Sequence, residues 1–581
     1  MAIEKAVRKA KRPGAKNTAI ATALQEWEAK VRQPSTVSKP ERKQQFKTMA
    51  DYPVKPLYTP LDVADIDYLK EIGFPGQYPF TRGDLPNGYR SHDFELWFYS
   101  GFGTPESGNK RFKELLARGA RRVAAASDLP TQIALDPDHP LAKGEVGRVG
   151  VSIPSLDDSD RLYGGINIAK NGASAGVCNC IPFYPLALSI ALAEKRGIKL
   201  TDMVNIGAGQ NDPLKEYTGR DTWVFPVPIA IELATDNREY VLRNLPRLKN
   251  PRQTGMLCTT QLGWCGVGAA EELGFALAHF VCYIDSALRR GLAIEEFLPQ
   301  IDWHAGCDMD IFQEAAKFRA GRKLFARLVK ERYHCDNPEV QRLRCTTWIH
   351  SQRMTAQQPL NNLARLTMTV LSGYLGGLEG ISTPGWDEAI ALPTEESTRI
   401  SNMIKFIINH ECGLEGVIDP LGGSYYVERL TRQIEEEADY WFNRIQDMGG
   451  AVAAVQKGFH YQEELKGTYR ERQQINSGER VVIGLNKFQI KDEKMPEIFP
   501  GADPEDEQRQ VENIQKLRET RNKALAKEKL ARLEEAAIKK TKDDKFNIVP
   551  AVLEAVKAYA TVGEIGAVLR KVFGEYKPAQ S

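Results

Sequence analysis

A cluster of polar side chains follows one apolar run near the middle of the 581-residue sequence. The run "DMVNIGAG" leads into "GQNDPLKEYTGRDTW", residues 209–223. A solvated loop is the simpler interpretation of such a stretch. If the run is instead a buried strand, these groups stand at its carboxyl end, where an amide and a guanidinium can hold a polar substrate. The chemically capable members are Gln210, Asp212, Lys215, Glu216, Arg220 and Asp221.

Polar residues also follow the other apolar runs of the sequence. The sequence shows no Ser/His/Asp order, no HExxH, no P-loop and no GxGxxG that opens a helix. Amides, hydroxyls and one well-placed arginine suit holding a substrate still, which predicts that a cofactor supplies the chemistry. The strand-end candidates are Ser127, Asp128, Asn171, Gln210, Arg220, Gln261, His304, His350, Gln352, Glu379 and Glu388.

The elements that must position these residues repeat between about residues 95 and 385. Eight short runs, such as "RRVAAASD", "GGINIAKNG" and "GGLEGIST", alternate with longer amphipathic stretches. That alternation predicts βα units and a (β/α)8 TIM barrel, with a doubly wound open sheet as the alternative. Runs such as "AAAS" and "CTTQ" are small and hydroxyl-rich, so they leave room for a ligand along the axis unless bulky neighbours face the helices instead.

Composition sets the domain boundaries and the cellular context. Residues 1–50 carry twelve Lys/Arg against four Asp/Glu and form a predicted basic arm. The barrel is predicted over 51–440, and a charge-dense helical region over 441–581. The net charge of +2 favours neither nucleic acid nor membrane as a partner. Without a signal-peptide or membrane-helix run, and with nine scattered cysteines that suit reduced thiols, the sequence predicts a cytoplasmic protein with no metal site.

A series of motifs along most of the chain resembles the large, catalytic subunit of methylmalonyl-CoA mutase-type enzymes. The resemblance implies a (β/α)8 barrel with CoA along its axis, and a radical 1,2-rearrangement of an acyl-CoA that depends on adenosylcobalamin. The motifs are "YPVKPLYTP", "GQYPFTRG", "YSGFGTPESGN", "SDLPTQIALDPDHP", "QNDPLKEY", "IHSQ", "DEAIALPT", "VIDPLGGSYYVE" and "ATVGEIGAVLRKVFG".

The end of the sequence bears on the predicted partner. In fused family members the segment like "KVFG" is followed by a cobalamin-binding domain, whereas here "EYKPAQS" ends the sequence. The resemblance therefore implies a heterodimer or heterotetramer in which a separate small subunit binds most of the adenosylcobalamin and the basic arm wraps around a partner. His304 in "DWHAGCD" is similar to the cobalt-ligating DxHxxG loop, but its glycine comes one residue early, so His304 is interpreted as a barrel residue.

The resemblance also implies roles for single residues. Arg220 matches the arginine that binds the free carboxylate of the substrate, and Gln210 matches a neighbouring substrate-binding glutamine. Tyr89 matches a tyrosine between substrate and adenosyl group, although its surroundings, "DLPNGYRSHDFELW", depart from the family pattern. Arg82 in "GQYPFTRG" is expected to bind substrate. The expected cofactor-binding residues are Gln352, Glu379 and Glu388.

Three departures from the family pattern point to an unusual substrate. Gln261 stands where the family has a histidine that binds the thioester carbonyl, and Ser127 stands where methylmalonyl-CoA mutases have phenylalanine. The segment after "HSQ" is about four residues shorter and lacks a tryptophan. These changes predict a dicarboxylic acyl-CoA bulkier than methylmalonyl-CoA, such as a 2-substituted succinyl- or malonyl-CoA with an aryl or branched group. The alternatives are a methylmalonyl- or ethylmalonyl-CoA mutase, a mutase for a hydroxy or branched monocarboxylate, and a catalytically silent scaffold subunit.

Overall fold

The computed structural model describes residues 15–91, 95–96, 99–117, 123–173, 175–176, 178–204, 206, 210–245, 255–499, 501 and 503–578. Most strands within these ranges coincide with the short apolar or small-residue runs in which they were expected. They are β1 (Glu95–Leu96), β2 (Tyr99–Ser100), β3 (Ala124–Ala126), β4 (Ala175–Gly176), β5 (Met256–Cys258), β6 (Asp302–Cys307), β7 (Cys345–Ile349) and β8 (Gly380–Ser382).

Helices make up most of the remaining structure. Those up to β8 are α1 (Ala15–Trp27), α2 (Gln33–Ser38), α3 (Pro105–Ala117), α4 (Leu129–Gln132), α5 (Leu156–Leu162), α6 (Ile168–Asn171), α7 (Phe183–Lys195), α8 (Pro213–Thr218), α9 (Val227–Asn244), α10 (Thr260–Trp264), α11 (Ala269–Arg289), α12 (Ile294–Phe297), α13 (Ile311–Arg332), α14 (Pro338–Gln341) and α15 (Asn361–Leu375). Those after β8 are α16 (Glu395–His410), α17 (Tyr425–Asp447), α18 (Ala451–Gln456), α19 (Phe459–Ser477), α20 (Glu505–Thr520), α21 (Lys523–Lys542), α22 (Val549–Lys557) and α23 (Val562–Phe573). In the described ranges, none of these helices is long and apolar enough to span a membrane.

The strands pair in parallel, which confirms the predicted α/β class. One sheet has the order β1-β8-β7-β6-β5, and the other has the order β2-β3-β4. Ala173 and Ile206 add an isolated parallel bridge beyond the second sheet. Among the strands that the structure describes, hydrogen bonds do not close one continuous ring, so the eightfold barrel stays a prediction.

One expected strand is a helix. The run "GGINIAKNG" contains α6, and the next strand is β4, which begins a few residues later. The Asn167 side chain accepts a hydrogen bond from Lys170 N and thereby caps α6. Asn171 therefore ends a short helix and does not follow a strand. This cap outweighs the isoleucines of the run, which by themselves favour a strand.

The strand β6 shows how the sheet is enclosed. Each of its six residues is buried, as in a parallel strand that is covered on both faces. Trp303 faces α13, where its ring lies 5.9 Å from that of Phe318 and contacts Gly321. Since side chains alternate along a strand, His304 faces the opposite side, away from the helices.

The helices after residue 440 share the same hydrophobic core. Apolar residues of α17 to α19 and α21 to α23 belong to one buried cluster with those of the strands. Polar contacts join the two regions as well, because Arg518 binds Asp136 and Lys540 binds Asp236. The boundary predicted at 440 falls inside α17.

Candidate active site

Ser127 and Cys178 lie at the carboxyl ends of neighbouring strands. Ser127 follows β3 directly and is fully buried, and the Cys178 thiol lies 3.6 Å from its hydroxyl. Burial raises the pKa of Cys178 to about 12, although the bond to Ser127 and the charge of Arg220 both lower it. The thiol is therefore neutral, and both side chains at these strand ends are small and buried.

Glu216 is the centre of a buried polar network in α8. Asn179 Nδ2 and Thr222 Oγ1 donate hydrogen bonds to its carboxylate, and Lys215 Nζ lies 3.5 Å away. Lys215 Nζ donates to Gln210 Oε1 at 2.5 Å, and Asn179 Nδ2 donates to the same oxygen at 3.2 Å. The acceptor oxygen of Gln210 is thus occupied, which fixes the direction of its amide.

Arg220 has unused hydrogen-bonding capacity. Its side chain is 24% exposed, and its Nη1 lies 3.8 Å from Glu216 Oε1. Within the described part of the chain, this buried Nη1 has no hydrogen-bond partner. Because closer donors already occupy Glu216, the guanidinium can bind a carboxylate from outside the chain.

Gln261 lies beside Arg220 at the start of α10. It is 8% exposed, and Cys258 Sγ lies 3.4 Å from its Oε1. A Cβ on Gly219 would come within 3.0 Å of Gln261 Cβ, so the glycine permits this close approach. The same thiol lies 4.0 Å from Gln210 Nε2. These contacts link Ser127, Gln210, Arg220 and Gln261 across the carboxyl ends of β3 and β5, which belong to the two different sheets.

A cavity of about 560 Å³ opens at the carboxyl ends of β2, β7 and β8. Glu388 lines it, and the surrounding protein raises the pKa of this carboxyl to about 7, with a further increase from the charge of Asp387. Gln352 follows β7 on an exposed turn, where its Nε2 donates to Trp264 O at 2.5 Å. Other residues that line the cavity are Ser100, Gly101, Trp348, Ser382 and Gly385.

Tyr89 lies at the opposite end of the strands. Its hydroxyl donates to Leu378 O at 2.5 Å and to Tyr374 O at 3.2 Å, and its ring stacks on that of Tyr374. Leu378 precedes β8, so these contacts are at the amino end of the strand. These bonds join Tyr89 to residues that precede β8, and its expected role between substrate and adenosyl group stays a prediction.

Glu379 and Arg82 also have partners within the chain. Glu379 is expected after a strand, yet β8 begins at Gly380, so Glu379 stands at its amino end, 3.8 Å from Arg344. Arg82 Nε donates to Asp419 Oδ2 at 2.9 Å, and its Nη1 donates to Tyr68 OH at 3.1 Å. The expected substrate contact of Arg82 and cofactor contact of Glu379 stay predictions.

Two residues of the site were missed or undervalued by sequence reasoning. Asn179 was not singled out, although it follows β4 closely and binds both Glu216 and Gln210. His304 was interpreted as an ordinary barrel residue. In the structure, His304 lies on β6 beside Cys258 of β5, and its Nδ1 lies 2.9 Å from Thr346 Oγ1 on β7. Position shortly after a strand was the signal available for Asn179, whereas His304 lies within β6.

Comparisons with known proteins agree with these features. The family model for methylmalonyl-CoA mutase matches residues 47–575. The 2-hydroxyisobutanoyl-CoA mutase large subunit of Aquincola tertiaricarbonis is 35% identical over 553 residues, which are 95% of this chain and 96% of that protein. The mitochondrial methylmalonyl-CoA mutase of Homo sapiens is 33% identical over 524 residues, which are 90% of this chain and 68% of that protein. The chain therefore belongs to the methylmalonyl-CoA mutase family.

Proposed function

We propose that the chain is the large subunit of an acyl-CoA mutase that rearranges the carbon skeleton of a dicarboxylic acyl-CoA. Arg220 carries this proposal, because its buried Nη1 lacks a hydrogen-bond partner within the residues described. A substrate carboxylate would accept two parallel hydrogen bonds from the guanidinium. The nearby amides of Gln210 and Gln261 would then orient the acyl group.

The side chains around Arg220 favour a substrate bulkier than methylmalonyl-CoA. Ser127 and Cys178 are small and uncharged at the pH of a cell, since burial keeps the thiol protonated. A 2-substituted succinyl- or malonyl-CoA with an aryl or branched group would occupy the volume that larger side chains would take up at these positions. Methylmalonyl- or ethylmalonyl-CoA is the smaller alternative.

The strand order supports a closed barrel as the scaffold of this site. β1 and β2 are separated only by residues 97 and 98, and they pair with opposite sheets, β8 and β3. The bridge between Ala173 and Ile206 extends the second sheet toward the next strand. We infer that the two sheets join in an eightfold ring, with the CoA chain along its axis.

The residues near the cavity fit the cofactor of the family, which is coenzyme B12-dependent. The cavity volume of about 560 Å³ is in the range of small-molecule sites and suits a nucleoside. Glu388 would hold hydroxyl groups there, and Gln352 would contact the ring system at the exposed edge. When bound, adenosylcobalamin supplies the radical that starts the rearrangement. The chain itself would position the substrate and exclude water.

We further propose a cytoplasmic heterodimer or heterotetramer with a small cobalamin-binding subunit. The relative from Aquincola tertiaricarbonis is named as a large subunit, and this chain covers 96% of it. In the predicted basic arm, Val31 between α1 and α2 and Val37 on α2 are largely exposed, as in a segment that contacts a partner. We expect the arm over 1–50 to wrap around that partner.

Product analysis tests the proposed activity. The chain is mixed with a small cobalamin-binding subunit, adenosylcobalamin and single acyl-CoAs, and the products are identified by mass spectrometry. The panel comprises methylmalonyl-, ethylmalonyl-, isobutyryl-, 2-hydroxyisobutyryl-, phenylsuccinyl- and aminobenzylmalonyl-CoA. Conversion of a bulky dicarboxylate alone is the expected result.

The other outcomes discriminate the alternatives. Conversion of 2-hydroxyisobutyryl-CoA would favour a second candidate function, which rests on the 35% identity to the large subunit of that name. Conversion of methylmalonyl-CoA at the rate of an ordinary mutase would refute the bulky substrate. If no substrate is converted although mass photometry confirms the assembled complex, the result would favour the scaffold role.

A further inference from the structure

His304 lies in the interior layer of the sheet, among residues of the candidate site. It pairs in register with Cys258 on β5 and with Thr346 on β7. In parallel strands, residues in register point to the same face, so these three side chains form one layer. Cys258 in turn contacts Gln210 and Gln261. The imidazole is therefore next to the groups proposed to orient the acyl group.

One ring nitrogen of this histidine is satisfied and the other is not. His304 is 7% exposed, and its Nδ1 lies 2.9 Å from Thr346 Oγ1. Its buried Nε2 has no hydrogen-bond partner in the portion of the chain that the structure describes. A buried polar atom without a partner costs free energy, so such an atom in a site indicates a missing ligand.

The charge state of His304 defines what it can bind. Burial and the ammonium group of Lys215 lower its pKa to about 3, so the ring is neutral at physiological pH. When the Thr346 hydroxyl donates to Nδ1, the neutral ring carries its proton on Nε2. His304 is then a fixed, uncharged donor that faces away from the helices.

We propose that His304 Nε2 donates a hydrogen bond to the thioester carbonyl oxygen of the substrate, which makes His304 a specificity-determining residue alongside Gln261. This inference rests on the proposed acyl-CoA mutase function. A hydrogen bond from a neutral donor holds the carbonyl without transferring a proton. Gln261 and His304 flank Cys258 from two elements, so together they can contact one carbonyl oxygen.

Binding to two matched ligands tests the contact without any turnover. Isothermal titration calorimetry of the full chain compares succinyl-CoA with S-(3-carboxypropyl)-CoA, the thioether that lacks only the carbonyl oxygen. The variants are His304→Phe, which keeps the ring shape, and His304→Gln, which keeps a donor. His279→Phe is the matched control, because His279 is a buried histidine on α11 outside the site.

The expected result is a loss of affinity only for the ligand that carries the thioester carbonyl. His304→Phe should weaken succinyl-CoA binding about tenfold and leave thioether binding unchanged, as expected for one lost hydrogen bond. His304→Gln should recover part of the loss, and His279→Phe should bind like the wild type. Unchanged succinyl-CoA affinity in His304→Phe, or equal losses for both ligands, would overturn the role of His304 and leave the proposed function standing. Absence of succinyl-CoA binding by the wild type would overturn the dicarboxylic acyl-CoA function itself.

Discussion

Arg220 and Arg82 show how the surroundings of an arginine decide its role. Arg220 has a single ion-pair contact at 3.8 Å, to a carboxylate that other donors already occupy. Arg82 has its Nε on Asp419 and its Nη1 on Tyr68. Free donors make an arginine available to a ligand, whereas satisfied donors make it part of the scaffold. The same distinction separates Gln261 from Tyr89.

Replacing Arg220 should therefore affect substrate use and not stability. In Arg220→Gln we expect kcat/KM for a dicarboxylic acyl-CoA to fall about 30- to 1000-fold, because a buried charge pair with the substrate is lost. Arg82→Gln is the control and should lower Tm with little change in KM. Steady-state kinetics and thermal melts of both variants measure this. Equal kinetics for Arg220→Gln and wild type would contradict the assigned role.

Replacing Tyr89 should have the reverse effect. Tyr89→Phe removes the donor to Leu378 O and Tyr374 O, and we expect a loss of about 1 to 2 kcal/mol in the free energy of unfolding. Turnover should change less than twofold. Denaturant unfolding and kcat are the two measurements. A tenfold fall in kcat at unchanged stability would restore the catalytic role that the family pattern implies.

Two buried histidines join α11 to α19. The rings of His279 and His460 lie 5.5 Å apart, and the His460 ring meets Phe275 edge to face at 4.7 Å. Neither ring has a hydrogen-bond partner at its nitrogens within the described ranges. Burial lowers the pKa of His460 to about 3 and that of His279 well below its usual value. The packing of α19 on the barrel helices therefore requires neutral rings.

This contact between His279 and His460 predicts that the free energy of unfolding decreases as the pH falls. The native state binds fewer protons than the unfolded state at these two sites, so the free energy of unfolding rises with pH. The two neutral histidines contribute fully to the free energy of unfolding above the usual histidine pKa of about 6.5. Their contribution is lost as the pH falls toward 3, by about 1 kcal/mol for each histidine and each pH unit. Tm should decline less between pH 6.5 and 5 in His279→Leu/His460→Leu than in the wild type. Parallel Tm curves would refute this explanation.

At the scale of the whole molecule, the C-terminal helices share the hydrophobic core of the two sheets. Asp236 on α9 is fully buried, and it binds Arg290, which follows α11 directly, at 2.5 Å and Lys540 on α21 at 2.8 Å. Ile548 N adds a hydrogen bond to the same carboxylate. One carboxylate thus links the region after residue 441 to two helices around the strands.

Removing that carboxylate should loosen the C-terminal helices. Asp236→Ala removes the carboxylate that Lys540 binds and one of the carboxylates that Arg290 binds. We expect a loss of about 3 to 5 kcal/mol together with faster tryptic cleavage within 505–578. Glu534→Gln is the control, because its ion pair with Lys571 is exposed and contributes about 1 kcal/mol or less. Mass spectrometry of the fragments measures the cleavage. Similar digestion of both variants would show that Asp236 does not hold the region in place.

Much of the site was accessible from sequence because strand ends are marked by local patterns. Ser127, Gln210, Arg220 and Gln261 were predicted from polar residues that follow apolar runs, and contacts link them across the carboxyl ends of β3 and β5. Glu379 was expected at the carboxyl end of a strand but precedes β8, since the run "GGLEGIST" does not show where pairing begins. Pairing depends on the neighbouring strand, which a local pattern does not contain.

The sequence by itself determined the family, the α/β class and the residues able to bind a carboxylate, because motifs and periodicity are local properties of the chain. The tertiary structure alone decided which polar atoms are already satisfied. Tyr89, Arg82 and Glu379 are tied to residues distant in sequence or stand at the amino ends of strands. The nitrogens left over on Arg220 and His304 follow from the same long-range packing. Hydrogen-bond satisfaction depends on atoms from several elements at once, and no single segment of sequence specifies it.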